Sequence, residues 1–223
     1  RQNKPGVDAP TGALTYSYDI VVPEGRNGMT PQIGLTYNSQ NTKEGSAFGY
    51  GWGINIPYIE RLNKHGTNKL YSEDFYISSI SGELVQGNSG TYIPRVGDGD
   101  FLKYEKQGNG WVVVDKQGKK YFYGSGAQAR HDDPNDSSRV YKWMLERVED
   151  PNGNSINYFY SKDQGQIYPD YITYTDGLAP TGIYKIVFQK TSRADVLDSY
   201  ATAFKVTTAY KISQIDIQTL GNL

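Results

Sequence analysis

The chain has no cysteine. This removes disulfides, thiolate–zinc sites and thiol nucleophiles together, and leaves the compartment open. Histidine is nearly absent too: only His65 and His131 have side chains that ordinarily exchange protons near neutral pH. Both lie in segments rich in Gly, Asn or Asp, which read as solvated turns. There is no Gly-x-Ser-x-Gly elbow for a serine nucleophile. The glycines of residues 49–53 are followed by neither Lys-Ser/Thr nor a helix start, so they form no phosphate cradle. A formal net charge of −1 with interspersed acids and bases gives no electrostatic footprint for nucleic acid or an anionic membrane. No apolar run approaches the ~20 residues that span a bilayer, and the N-terminus carries no signal-like apolar core.

What is present is aromatic and turn-rich. Mean hydropathy is −0.65, but the scale undercounts the 20 tyrosines, each of which buries a ring while keeping a polar tip. Tyr, Thr and Gly beside β-branched residues fit many short strands joined by tight turns. The length of 223 residues suits one large all-β domain.

The pattern along the chain agrees. Residues 1–12 form an irregular lead-in. Leu14, Tyr16, Tyr18, Ile20 and Val22 then alternate with small or polar partners, as one face of a strand requires, and Pro23 ends the run. The turn at residues 24–28 contains Asn27-Gly28, a pair that readily takes positive φ. Ile33, Leu35 and Tyr37 supply the answering strand. Residues 101–105, 111–115 and 119–123 read as a meander with glycine-bearing turns at 107–110 and 116–118. The turn 150–154 joins strands at 141–148 and 156–160; further strands follow at 172–174, 184–188 and 211–217. Residues 192–203 are expected to form a loop or a single helical turn, and residues 131–138 an internal loop. The expected organisation is a single β module over residues 13–223.

Chemistry-bearing clusters are sparse. Glu73 with Asp74, and Asp98 with Asp100, are carboxylate pairs without the sugar-spanning context that glycosidase chemistry needs. Residues 97–100 and 132–136 gather hard oxygen ligands suited to calcium, yet neither follows the twelve-residue loop pattern that ends in Glu. Asp and Asn bonding their own turns account for both. Exposed Trp52 or Trp111 would provide flat surface for carbohydrate, with packing of Tyr58, Trp111 and Trp143 into the fold as the simpler reading. No catalytic, cofactor or metal residue is assigned.

One set of motifs goes further. Pro23, Gly25, Arg26, Gly28 and Pro31, then Tyr37, Asn38 and Ser39, then Gly49, Gly51 and Trp52, then Arg61 reproduce an N-terminal signature. It resembles that of the Salmonella plasmid virulence protein B family, a module shared with the B component of insecticidal Tc toxin complexes and other Rhs/YD-repeat proteins. Trp143 and the stretch with Asp150, Gly153, Asn154, Tyr158 and Tyr160 extend the likeness. The resemblance implies an all-β architecture of antiparallel hairpins and meanders, forming a curved sheet or strip with almost no helix. It also implies a non-enzymatic part of a secreted or surface toxin assembly. There, Rhs/YD hairpins form a cocoon around a C-terminal toxic polypeptide, and catalysis belongs to that cargo. The expected partners are downstream shell segments or a shell subunit and the enclosed polypeptide, with neither nucleic acid nor a membrane span. A carbohydrate- or surface-ligand-binding module is the alternative.

Overall fold

The computed structural model describes residues 5–41, 46–97, 101–175 and 183–219. Almost every element is a strand, and the remaining helix is limited to four single 3-10 turns. Strands β1 (Gly6–Val7), β2 (Leu14–Asp19), β3 (Gly34–Asn38) and β4 (Trp52–Ile54) form a four-stranded antiparallel sheet in that order. The first long strand thus stops at Asp19, short of the expected Val22. Residues 20–33 carry the chain round through the 3-10 turn Arg26–Gly28 to β3.

The larger sheet starts with β5 (Tyr58–Arg61), β6 (Tyr76–Ser78), β7 (Gly82–Gln86), β8 (Thr91–Pro94), β9 (Lys103–Gln107), β10 (Gly110–Val114) and β11 (Lys120–Tyr123). It continues through β12 (Arg130–Asp133), β13 (Asp136–Glu149), β14 (Ser155–Asp163), β15 (Gln166–Tyr174), β16 (Tyr184–Ser199) and β17 (Val206–Thr219). The long strand β13 is its hub. Its first half pairs with β5 and β12, and its second half with β11 and β14. Because β13 bonds both β5 and β11, strands β5 to β11 with β13 close into an eight-stranded barrel. Strands β14 to β17 then run out of the barrel wall as an antiparallel extension. Closure removes the edge that a meander would otherwise leave open. The expected strip is therefore a closed barrel with a strip attached.

Two expected loops are different in the structure. Residues 131–138 form a two-residue hairpin in which Asp133 stands opposite Asp136. Residues 192–199 belong to β16, with a bulge between Ser192 and Leu197. The polar run has weak intrinsic strand preference, and only its flanks pair: Ser192 and then Leu197 to Ser199 find partners in β17, while residues 193–196 are carried as the bulge between them. Residues 58–94, which carry no clear alternation in sequence, hold four of the eight barrel strands.

Candidate functional site: the aromatic barrel core and its cation seal

Alternation turns one face of every barrel strand inward. Ile59, Tyr76, Leu84, Tyr92, Tyr104, Trp111, Val113, Tyr123, Trp143 and Leu145 are all buried there. The barrel is filled by rings packed edge to face, the arrangement that the ring quadrupoles favour. Tyr76 lies 4.8 Å from Trp111 and 5.7 Å from Trp143, and Tyr92 lies 5.0 Å from Trp111. Buried rings with polar tips need partners. Trp143 Nε1 donates to the Asn109 carbonyl at 2.7 Å, and Tyr104 Oη is bonded to Ser78 and Ser81 hydroxyls at 3.0 and 2.8 Å. Trp111 Nε1 is buried without a hydrogen-bond acceptor.

Charged side chains seal one end. Arg61, last residue of β5, donates from Nε to the Val140 carbonyl at 3.0 Å and from Nη1 to the Glu73 carbonyl at 2.9 Å. Its guanidinium sits 5.3 Å from the Tyr76 ring and 5.8 Å from Trp143. Lys106 Nζ donates to Tyr76 Oη at 2.9 Å, and Tyr76 Oη donates to Asp74 at 2.5 Å. Burial pushes the Lys106 ammonium below its ordinary range, against the pull of Asp74. The Tyr76 hydrogen bond, aided by Lys106 and Arg61, holds the Asp74 carboxyl down. Tyr76 itself is raised by burial and by its bond to Asp74. Every charged group here faces a backbone carbonyl, a ring or an opposite charge, so the arrangement fixes geometry and leaves no nucleophile beside a free base. Sequence reading picked out Arg61 in the motif and Asp74 only as one of a carboxylate pair with Glu73. The signal for the rest was available in β9, where alternation puts Tyr104 and Lys106 on one face.

A second polar cluster joins the hairpin tips outside the barrel. His131 in β12 is buried and bonded through Nε2 to the Gly165 carbonyl at 2.7 Å. Burial, with Lys142 and Lys162 nearby, lowers its pKa to about 3, so it is neutral and structural at physiological pH. Lys162 binds Asp132 at 2.5 Å, and Arg139 binds Asp133 at 2.7 Å and the Ala203 carbonyl at 2.9 Å. Asp132 and Asp133 thus face cations. His65 is exposed and lies 3.0 Å from Glu73. Among the described residues no group of three His, Asp or Glu side chains is placed to hold a metal; Asp98 and Asp100 lie outside them.

Apart from Arg61 and Trp143, which meet in the barrel at 5.8 Å, the motif residues fall into three places. Around the turn Arg26–Gly28, the Pro23 carbonyl accepts the Tyr174 hydroxyl at 2.9 Å and Gly25 N–H donates to Thr30 Oγ1 at 2.8 Å. A Cβ on Gly25 would stand 2.0 Å from the Met29 carbonyl oxygen, so only glycine passes there. Arg26 and Gly28 are exposed, whereas Pro31 is buried. On the small sheet, Tyr37 and Trp52 are cross-strand partners, and Asn38 N–H donates to the Gly51 carbonyl at 2.9 Å. Ser39 Oγ accepts from Leu14 N–H at 2.9 Å. Gly49 and Gly51 shape the turn into β4; a Cβ on Gly51 would lie 2.6 Å from the Tyr37 ring. The third place is the β13–β14 hairpin. Asp150 Oδ1 accepts from Asn152 and Asn154 N–H at 2.9 Å, its Oδ2 accepts from Asn154 Nδ2 at 2.8 Å, and Gly153 N–H bonds the Asp150 carbonyl at 3.0 Å. Tyr158 and Tyr160 point into the core behind it, with Tyr160 Oη on the Leu145 carbonyl. The motif therefore serves three separate turns and the barrel seal, and does not converge on one pocket. Trp111, expected as a surface aromatic under the carbohydrate-binding alternative, is fully buried; Trp52 is partly buried.

A closed aromatic barrel, a sheet running out of it and turn-specific motif residues define an all-β structural module. The chain belongs to the Salmonella virulence plasmid 65kDa B protein family, whose model matches residues 8–99 and 91–176. It is 25% identical over 185 residues to the mono(ADP-ribosyl)transferase SpvB of Salmonella typhimurium, covering 70% of this chain and 31% of that protein. Its fold is similar to that of TcdB2-TccC3, with a TM-score of 0.82 at 20% identity over 98% of this chain and 14% of the other. It is also similar to the N-terminal domain of effector protein SpvB from strain LT2, with a TM-score of 0.77 at 18% identity over 90% and 87% of the two chains. A further similar structure is the Photorhabdus luminescens Tc holotoxin pore, with a TM-score of 0.79 at 20% identity over 97% and 13%. The chain thus spans under a third of the Salmonella protein's length. No helix among the described residues is long and apolar enough to cross a membrane.

Proposed function

We propose that the chain is a non-catalytic wall module of a secreted or surface toxin assembly, forming the first part of a β-hairpin cocoon around a C-terminal toxic polypeptide. One observation carries this reading. The large sheet closes on itself at one end and at the other ends on β17, whose residues 213–219 have no outer partner strand among the described residues. The first part of that edge is already covered: Ile212 N–H bonds the Ala47 carbonyl at 2.7 Å and Thr207 N–H bonds the Gln164 carbonyl at 3.0 Å. A half-covered edge is a place for a further strand to add. Family membership supports a virulence setting. The motif residues serve as turn and packing positions that hold the hairpins in register. The test joins the chain to the downstream coding sequence of its own gene. The expected result is slower amide hydrogen exchange over 213–219 and a higher Tm, with no NAD consumption by the residues described above. Unchanged exchange at that edge overturns the wall reading.

A further inference from the structure

We propose that the aromatic face of the four-stranded sheet is a binding site for neutral oligosaccharide. Alternation and cross-strand pairing put Leu14, Tyr16, Tyr18, Leu35, Tyr37 and Trp52 on one face, with Tyr16 opposite Tyr37, Tyr37 opposite Trp52, and Leu35 opposite Tyr18; Ile54, opposite Leu35, ends the face by packing against the core. Thr15, Ser17, Asp19, Thr36 and Asn38 occupy the other face, so the sheet has a polar side facing water. None of the six aromatic-face residues is buried; Tyr18 is 54% exposed and Leu14 45%.

Three observations select the ligand. Among the described residues, the strand positions on this face carry no charged side chain, which favours a neutral partner over an anionic or cationic one. Its rings carry polar groups left open: the hydroxyls of Tyr16, Tyr18 and Tyr37 and the Trp52 indole N–H have no hydrogen-bond partner among the described residues. The deep barrel tyrosines Tyr76 and Tyr104, by contrast, are bonded. An apolar protein face laid over these groups would desolvate them without compensation. A ligand presenting both C–H faces and hydroxyls would satisfy them. Finally, the footprint of its three main strands is about 250 Å² from strand spacing and rise, well under the ~800 Å² each partner buries in a stable protein–protein interface. That area suits a short glycan. The rings are also set in advance, because Trp52 packs at 5.3 Å on Tyr37 and 6.1 Å on Tyr16, and Tyr37 rests on the Gly51 backbone. This site is separate from the open edge of β17, and it stands or falls apart from the wall reading.

The test titrates the full chain with cello-, malto- and chito-oligosaccharides and with sialylated and sulfated glycans, by calorimetry and tryptophan emission. Of the three tryptophans, Trp111 and Trp143 are buried, so an emission change reports Trp52. The expected result is salt-independent binding of at least one neutral series, weakened about tenfold by Trp52→Ala, a loss equal to ~1.4 kcal/mol. Tyr18→Phe, which removes only a hydroxyl and leaves the ring, weakens binding several-fold at unchanged Tm and covers the case in which Trp52→Ala fails to fold. No binding of any neutral oligosaccharide at millimolar concentration overturns the proposal. So does a preference for sialylated or sulfated glycans, binding indifferent to Tyr18→Phe, or self-association that shields Trp52.

Discussion

The barrel and the four-stranded sheet are built from the same residues in the same alternation, and they end in opposite states. In the barrel, Tyr76, Tyr104 and Trp143 are buried and each polar tip is bonded. In the small sheet, Tyr16, Tyr37 and Trp52 are half-buried and their polar tips are open. The difference is closure. Once β13 bonds both β5 and β11, the inward face is shielded from water, its rings pack on one another, and a buried polar tip left without a partner, as at Trp111 Nε1, becomes the exception. A four-stranded open sheet imposes neither condition. The same alternation is a core in one place and a surface in the other.

Matched substitutions break or sharpen this contrast. The largest effect is expected at Trp143. Trp143→Ala leaves a cavity among Tyr76, Trp111 and Arg61, strands the Asn109 carbonyl, and costs about 4 kcal/mol, whereas Trp52→Ala costs about 1 kcal/mol because its ring is only partly buried on an open sheet. Chemical denaturation midpoints at constant slope check both, and equal losses would erase the distinction. Arg61→Met comes next. It leaves the Val140 and Glu73 carbonyls without their donor and removes one of the two cations near Asp74, and it lowers stability by about 3 kcal/mol. Arg61→Lys restores little of this, since an ammonium cannot donate in the planar fork.

A pH series probes the hairpin tips. The His131 pKa of about 3 lies below its ordinary 6.5, so below that value the unfolded chain binds a proton that the folded chain refuses. Its contribution is full above pH 6.5 and is lost as pH falls towards 3. The sign is a loss of about 2 kcal/mol on going from pH 7 to pH 5. Thermal melts of the wild type and of His131→Gln at the two pH values measure it; a wild type no more acid-sensitive than the variant refutes the assignment. The smallest effects compare single hydroxyls. Tyr76→Phe removes the bridge between Asp74 and Lys106 and costs about 1.5 kcal/mol, and Tyr18→Phe changes stability by less than ~0.5 kcal/mol.

Much of the fold was legible in the sequence where pattern and turn chemistry coincide. Asn27-Gly28, the turn 107–110 and the Asp150–Asn154 segment mark reversals because those residues tolerate positive φ or bond their own backbone. The meander that became β9, β10 and β11 followed from alternation between glycine turns. Residues 58–94 were silent because their short strands lack the clear alternation that marks the equally short β9, β10 and β11. Residues 192–199 misled because the β17 ladder takes up the flanks Ser192 and Leu197 to Ser199 and carries the polar run between them as a bulge. The barrel seal was half legible: Arg61 stood out in the motif, while Lys106 and Asp74 acquire meaning only when β6 and β9 are brought to the same mouth.

By itself the sequence determined an all-β chain, its main turns and the scarcity of acid–base groups, because each of these depends on residue type and short-range spacing. Tertiary structure alone decided that the meander closes on β13 and that Trp111 is core while Trp52 is surface. Alternation states that one side of a strand is apolar. Which distant strand covers that side, or whether any does, depends on pairings between residues far apart in the chain, such as Trp143 with Ile59, which no local pattern encodes.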